Sequence, residues 1–418
     1  MKREKKRMNR RGFLKAMGAA GFGSVMAGCN ANDGRNSPVD PSRHGVDSTK
    51  VPQRTLGRTG VSIPIVAMGT VFDMRDKHAL LDASAKYGIN YWDTATNYGD
   101  KKSQDGIGQY LTKHPGLREN LFISSKPIDL EDEVPNPQQF EEDLHESLGR
   151  MGMEYFDLYC GLHGMWDGQQ LTKEVGEWAQ SAKDRGLIKY FGISTHSNMA
   201  DCLRGCVRCG YVDAALTAYN FSLMQDDDYQ KAIDEAHNAG VGLTAIKTLR
   251  KVSCEPNPIV TEKDKELTGY FLNKGYTEAQ AKLKLAIEDE RFTSAAVGID
   301  TIGYLMEAAA AALDKTELNE EDKIQLVKYH QATKHMYCAG CAHICKPLSS
   351  GIPVNDIMRY VMYYNNYGHH KRARQEFAKL PAEVRRKLLK VDYRQAEACC
   401  PQGMAIGKLI KEAVTKLA

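Results

Sequence analysis

Four side chains of complementary chemistry stand at the ends of three hydrophobic runs: Asp93 in NYWDTATNYG with Tyr98 five positions later, Lys126 in LFISSKP, and His163 in YFDLYCGLHG. Together they read as a proton-transfer site. A tyrosine hydroxyl exchanges a proton with a carbonyl or alcohol oxygen when its pKa is brought down towards the working pH, and a nearby ammonium does this by favouring the phenolate. Lys126 is the candidate ammonium. Asp93 would keep that lysine charged and in place, and the imidazole of His163 could share a hydrogen bond with the substrate oxygen.

Residues so far apart in the chain need a scaffold that gathers them. Short β-rich runs alternate with longer helical patterns, as in repeated βαβ units: Val66–Thr70, Asn90–Ala95, Leu121–Lys126, Phe156–His163, Lys189–Thr195, Ala214–Asn220, Gly242–Lys247 and Ala295–Ile299. Eight such runs suit an α/β chain whose parallel strands close into a TIM barrel, with chemistry at their C-terminal ends. Asp93, Lys126 and His163 fall at or just past such ends. An open doubly wound sheet would show a GxGxxG turn after its first strand, and the chain has none there.

From about Arg54 to about Ala311 the chain resembles the aldo-keto reductases. RTLGRTGVSIPIVAMGT is similar to the family's opening hairpin and first strand, and DTATNYG, SSKP, SLGRMGMEYFDLY and GLHG follow in the family's order. The resemblance implies an (α/β)8 barrel using NAD(P)(H) on a small carbonyl or alcohol substrate, with Tyr98 as general acid and Asp93, Lys126 and His163 as its partners. It further implies that Ser194 in GISTHSN contacts the nicotinamide amide and that Tyr219 in TAYN stacks under that ring. Lys247, Thr248, Leu249 and Arg250 would wrap the pyrophosphate, and Gly298 belongs with these cofactor contacts. Two departures stand out: Leu216 replaces a common Gln, and VGIDTIGYLMEA lacks the basic side chain expected near a 2'-phosphate, which Asp300 would repel.

Beyond the barrel the residue types change. YCAGCAHICKP supplies Cys338, Cys341 and Cys345, and Cys400 precedes Pro401 in CCPQGMAI. Three thiolates from one loop and a distant Cys-Pro resemble a four-sulfur iron-sulfur shell, here one 4Fe-4S cluster. Four thiolates also suit zinc, and Cys399 could stand in for Cys400. Residues 331–418 look like a reduced version of the ferredoxin-like segment carried by a minority branch of the family, a small, mostly helical domain stapled by its metal. Electron exchange with a redox partner and a structural role both remain open for the cluster. Tyr360, Tyr363, Tyr364 and Tyr367 recur at helical spacing and are expected to pack this tail onto the barrel.

Cys202, Cys206 and Cys209 show the CxxxCxxC spacing of radical enzymes, but spacings of four and three are also one face of a helix. The stretch follows the fifth strand, where a barrel needs a helix, so core packing is the expectation.

The N-terminus reads as an address. Arg10 and Arg11 with Phe13, Leu14 and Lys15 match a twin-arginine export signal, and Met26-Ala27-Gly28-Cys29 is similar to a lipobox in which Cys29 would carry a lipid. Residues 1–29 are thus signal, 30–52 a polar linker expected to be disordered, 53–330 the barrel and 331–418 the iron-sulfur domain. The expected location is the periplasm, or the membrane surface through the lipid. An export route for folded proteins suits a protein whose cluster must be inserted first. The 418 residues are 42% hydrophobic with net charge +3, enough for a large core and no argument for nucleic acid. Eleven cysteines in an exported chain would ordinarily suggest disulfides, but their clustered spacing argues for metal.

The expected function is carbonyl–alcohol interconversion by hydride transfer, with sugars or keto-sugars as natural substrates. Against it stand a retired barrel serving binding or electron transfer and, further off, a radical enzyme. Loops Asp129–Gln139, Gly164–Lys173 and Phe221–Tyr229 would set specificity, with Trp166 either a wall for a ring or packing against the tail.

Overall fold

Alternating inward and outward side chains on eight short parallel strands leave each strand two apolar faces, and closing the sheet on itself buries both. The computed structural model describes residues 50–127, 135–250 and 262–418. The export signal, Cys29, the linker up to residue 49 and positions 129–134 of the first specificity loop lie outside the described residues. The hairpin strands β1 (Gln53–Thr55) and β2 (Ser62–Pro64) pair antiparallel. The barrel strands are β3 (Val66–Gly69), β4 (Tyr91–Asp93), β5 (Phe122–Ser125), β6 (Phe156–Met165), β7 (Ile188–Thr195), β8 (Ala214–Ala218), β9 (Gly242–Ile246) and β10 (Ser294–Gly298). They pair in chain order, and β10 closes the ring against β3. All eight expected runs are barrel strands.

The hairpin plugs one end of the barrel. Leu56 and Ile63 are fully buried against the interior layer of Tyr91, Phe122, Leu158, Cys160, Ala214 and Leu216. Leu56 presses so closely on Gly242 that a Cβ there would stand 2.4 Å from its Cδ1, which is why β9 opens with glycine. The expected linker ends earlier than residue 52: Val51 is buried and its N–H donates to the Tyr87 carbonyl at 2.9 Å, tying the chain to the barrel's outer layer.

Outside the ring, helices cover the outward faces. Helix Pro137–Met151 shows local rules at work: Asn136 caps it by accepting from the Gln138 N–H, Pro137 opens its first turn and Gly152 ends it in the left-handed conformation. Its Phe140, Leu144, Leu148 and Met151 join the main core. Helix Met199–Cys209 buries Cys202 and Cys206 completely in that core, so the CxxxCxxC spacing is a packing face and not a cluster loop. Burial pushes both thiols well up, the Cys202 thiol to about 12.

Helix Glu320–Thr333 packs on the barrel side with helices Glu262–Asn273 and Glu278–Glu288 through Leu267, Phe271, Leu326 and Tyr329. A second core begins at Tyr337. It is built by helices Val354–Asn365, His370–Lys379, Arg394–Ala398 and Ile406–Leu417 around Ile357, Met358, Phe377, Leu388, Tyr393 and Ile410. The tail is mostly α-helical, as expected.

This tail sits on the C-terminal face of the barrel. Arg359 donates to the His196 carbonyl at 2.9 Å and contacts His196 Nδ1 at 2.6 Å, just past β7. Asn220 past β8 donates to the Tyr337 hydroxyl at 3.3 Å, and Arg250 past β9 donates to the Thr333 carbonyl at 3.0 Å. The tyrosines expected to pack the tail onto the barrel lie on this seam in part. Tyr363 reaches the barrel residue Lys247 and Tyr367 lies near enough to act on Arg250 of the barrel, and all four tyrosines also pack on the tail's own core. Lys346 of the tail stands over the Trp166 ring, so that indole packs against the tail. No helix among the described residues is long and apolar enough to cross a membrane.

Candidate active site

Strand ends deliver the proton-transfer residues. Asp93 closes β4 and Lys126 follows β5, two positions beyond Ser124 on the same inward face. The Lys126 ammonium donates to both Asp93 oxygens, at 2.6 and 2.7 Å, and to the Thr94 carbonyl at 2.9 Å. Ser124 donates to the same carboxylate at 2.6 Å. Burial opposes the lysine's charge, but Asp93 together with Tyr98 and Cys160 outweighs it and carries the ammonium above its ordinary range. The pair is nearly sealed from water, with Asp93 at 4% and Lys126 at 1% exposure.

Tyr98 lies on the loop after β4, where the Lys126 nitrogen stands 5.0 Å from the centre of its ring. The expected descent of its pKa towards neutrality is not what the structure gives. Burial raises the phenol, Asp93 adds to the rise, and Lys126 and Arg372 pull the other way without prevailing. The physical reason is chiefly burial, which disfavours the phenolate, while Asp93 cancels part of the pull of the Lys126 ammonium. Tyr98 is therefore held as a neutral phenol, the form that donates.

His163 reaches the same mouth through a break in β6. Cys160 faces the barrel interior and Leu162, two residues on, faces the outer core, because the ladder with β7 slips between Cys160 and Leu162. That bulge reverses the alternation and turns His163 inward. A second slip follows between His163 and Met165. The ring lies edge-on to Tyr98, centroids 6.4 Å apart, and its Nδ1 is 2.8 Å from the Pro127 carbonyl. A carbonyl only accepts, so Nδ1 carries a proton. Ser194 is the direct ladder partner of His163 across β6 and β7, and Leu216 is the partner of Ser194 on β8.

The other expected cofactor residues divide. Tyr219 is a correction: its hydroxyl is bonded to Asp289 and contacts Arg291, and its ring stacks on Phe292 with centroids 4.2 Å apart. Leu216 belongs to the interior layer and Tyr219 to the main core beside Phe292, so the tyrosine's ring and hydroxyl are already engaged within the fold. Gly298 ends β10 at the exposed rim, beside Phe72. Lys247 and Arg250 follow β9 with φ of +56° and +36°, a left-handed strain that non-glycine residues keep where surroundings enforce it. Leu249 packs on the main core. Thr248 Oγ1 and Arg250 Nε and Nη1 are buried without hydrogen-bond partners, and a pyrophosphate is a group that would satisfy such donors. The Arg250 guanidinium is also wedged between Phe221 and Tyr337, 5.1 and 4.8 Å from their ring centres. Near Asp300 stands a cation that sequence reading missed: Lys77, from before helix His78–Lys86, donates to the Asp300 carbonyl at 2.8 Å.

The tail gathers its cysteines. Burial first, then the mutual influence of Cys338, Cys341, Cys345 and Cys400, pushes the Cys341 and Cys345 thiols up to about 12 and about 11. Cys400 packs against the tail core and Cys399 is exposed, which favours Cys400 as the fourth member. Among the described residues no group of three or more His, Cys, Asp or Glu side chains stands tightly enough to hold a metal ion. The 4Fe-4S shell expected from the cysteine spacing is thus not shown by the placement of these four thiols.

The fold and site together are a closed eight-stranded parallel barrel with an Asp–Lys pair, a tyrosine and a histidine at its C-terminal mouth. The Aldo/keto reductase family matches residues 65–324. The chain belongs to that family, a class of NAD(P)-dependent oxidoreductases. It is 31% identical over 142 residues to the uncharacterised oxidoreductase YJR096W of Saccharomyces cerevisiae, covering 33% of this chain and 49% of that protein. The chain thus spans about half the length of that relative. It is 24% identical over 332 residues to the L-glyceraldehyde 3-phosphate reductase of Escherichia coli O157:H7, covering 68% of this chain and 92% of that one. An aldo-keto reductase of Klebsiella pneumoniae, solved in complex with NADPH, shares the fold with TM-score 0.54 at 20% identity, over 67% of this chain and 95% of that one.

Proposed function

We propose that this protein interconverts a carbonyl and an alcohol by hydride transfer with NAD(P)(H), Tyr98 handling the proton at the substrate oxygen. The observation that carries the reading is the neutral Tyr98 phenol beside the sealed Lys126–Asp93 pair, with the His163 ring across from it. The nicotinamide, when bound, supplies or takes the hydride. Tyr98 donates the proton to the oxygen of the incoming carbonyl, Lys126 offsets the charge that develops on the phenol, Asp93 keeps Lys126 in place, and His163 orients the oxygen. Ser194 beside His163, and Thr248 with Arg250, are the residues offered to the cofactor. A sugar or keto-sugar is the proposed substrate, in keeping with the sugar-phosphate reductase among the relatives. The test is turnover of aldehydes and sugars with NADH and NADPH by wild type and Tyr98→Phe. Undiminished turnover in the variant would sink the mechanism.

The proposal extends to the two ends of the chain. Cys338, Cys341, Cys345 and Cys400 would hold one 4Fe-4S cluster, supported by their shared neighbourhood and by the exposure of Cys399. The N-terminal motif would send the folded protein through the twin-arginine pathway to the periplasm, with a membrane tether if Cys29 is lipidated. Export that persists after Arg10→Lys and Arg11→Lys together would contradict this route. A retired barrel that binds or relays electrons is the competing reading, favoured by Leu216 and by the occupied ring of Tyr219. The complete set of Asp93, Tyr98, Lys126 and His163 speaks against it.

A further inference from the structure

The loop that carries Tyr98 is held in an unfavourable backbone shape. Directly after Tyr98, residues Gly99, Asp100 and Lys101 follow one another with φ of +57°, +56° and +72°. Two of the three carry side chains, and a left-handed run of this kind persists only where the surroundings enforce it. The enforcement comes from the first turn of helix Lys102–Lys113, where Ser103 and Gln104 are wholly buried. The Ser103 N–H donates to the Tyr98 carbonyl at 3.2 Å, and its hydroxyl lies 2.8 Å from the hydroxyls of both Thr70 and Thr94.

Gln104 reaches across to the next strand. Its Nε2 donates to Ser125 Oγ at 3.1 Å and to Ser147 Oγ at 3.0 Å. Ser125 closes β5 and immediately precedes Lys126. Ser147, on helix Pro137–Met151, lies 3.1 Å from the Thr96 hydroxyl, and Thr96 returns to the Lys126 carbonyl through its N–H at 2.9 Å and its hydroxyl at 3.1 Å. The amide thus closes a circuit of contacts that joins the Tyr98 loop to the strand end bearing Lys126. Thr96, Gln104, Ser125 and Ser147 are all sealed from water. Gln104 Oε1 is buried too, with no hydrogen-bond partner among the described residues. A methionine would fill the same space without stranding an oxygen, so packing alone gives no reason for an amide here.

We propose that Gln104 is a positioning residue for the proton transfer: clamped between Ser125 and Ser147, its amide fixes the Tyr98 loop against the strand end that presents Lys126, and so sets the separation of phenol and ammonium. This rests on the reductase reading above and adds to it a residue that acts through Ser125, Ser147 and Thr96. A small drift of the acid relative to its partner costs rate and leaves binding alone.

The experiment measures kcat and KM for para-nitrobenzaldehyde, and Kd for NADPH by fluorescence titration, with the full chain as wild type, Gln104→Met and Gln104→Glu. Gln104→Met keeps the length of the side chain and removes both donors; it should lower kcat roughly 10- to 100-fold while KM and Kd stay within about twofold of wild type. Gln104→Glu should recover part of the loss, because the two serine hydroxyls can turn and donate to a carboxylate. A Gln104→Met kcat within about twofold of wild type overturns the proposal. So does a loss shared equally among kcat, KM and Kd, or a Gln104→Glu no better than Gln104→Met. If Gln104→Met does not fold, Ser125→Ala, which deletes one arm of the clamp, is judged by the same split. If wild type reduces none of a panel of aldehydes and sugars, the reductase reading fails by itself. The clamp is then read from the NMR resonance of the Tyr98 ring, assigned by its loss in Tyr98→Phe. A shift in Gln104→Met that Gln104→Glu reverses supports the clamp, and an unmoved resonance overturns it.

Discussion

Lys126 grips Asp93 by both carboxylate oxygens, at 2.6 and 2.7 Å, in a site where neither side chain meets water to any extent. Removing one partner of such a pair strands the other charge in a poor solvent. Lys126→Met is expected to destabilise the fold by about 3–5 kcal/mol, with Lys126→Met and Asp93→Asn together costing less than their sum. Chemical denaturation of the single and double variants checks this. The pH dependence follows from the sign of the shift. The lysine's pKa is raised on folding, so its contribution is complete below the ordinary value of 10.5 and is lost as pH climbs through the higher folded value. Urea midpoints between neutral and strongly alkaline pH should show the loss only at the alkaline end.

Tyr98 is expected to behave as an acid that keeps its proton. Because its pKa lies above the free value of 10.0, carbonyl reduction should lose no rate on its account at neutral or mildly alkaline pH. Tyr98→Phe should lower kcat at least about 100-fold with little change in KM. An inflection near neutrality in wild-type kcat/KM, traced to this phenol by its absence in the variant, would contradict the assignment.

The bulge that aims His163 depends on a residue with no side chain. A Cβ on Gly161 would stand 2.7 Å from Cε2 of the buried Phe191 ring. Gly161→Ala should therefore destabilise by about 1–3 kcal/mol and lower kcat by misdirecting His163. Gly149→Ala, where a Cβ meets nothing within 4 Å, is the control and should leave Tm and kcat near wild type or slightly raise Tm.

The two neighbouring cysteines of the tail should differ. On the proposed 4Fe-4S reading, anaerobically purified wild type should carry iron and visible absorbance, Cys400→Ser should lose both and Cys399→Ser should keep them. Equal retention in the two variants would remove Cys400 from the ligand set. Zinc in place of iron by metal analysis would keep the site and change its chemistry.

Lys77 offers the cation that the segment around Asp300 lacks. Lys77→Ala should raise KM for NADPH several-fold more than KM for NADH. A variant that affects both cofactors equally would leave the dinucleotide preference to other residues.

The barrel and the positions of its chemistry were legible in the chain because the signals are local. Strand and helix periods repeat within a few residues, and Asp93, Lys126 and His163 end the runs that became β4, β5 and β6. The helical tail and the packing face of Cys202 and Cys206 were legible for the same reason. Strict alternation from Leu158 and Cys160 would have turned His163 outward, and only the slipped ladder with β7 faces it to Tyr98. A single inserted residue reverses every side chain beyond it and leaves no periodic trace. Tyr219 shows another limit: its motif was familiar, but its engagement with Asp289, Arg291 and Phe292 is a property of the folded chain. The proton affinity of Tyr98, the cation Lys77 beside Asp300 and the seat of the tail over the mouth were likewise decided by tertiary structure. Each is set by groups that meet in space from distant parts of the chain, and a field summed over such neighbours cannot be read from the order of residues alone.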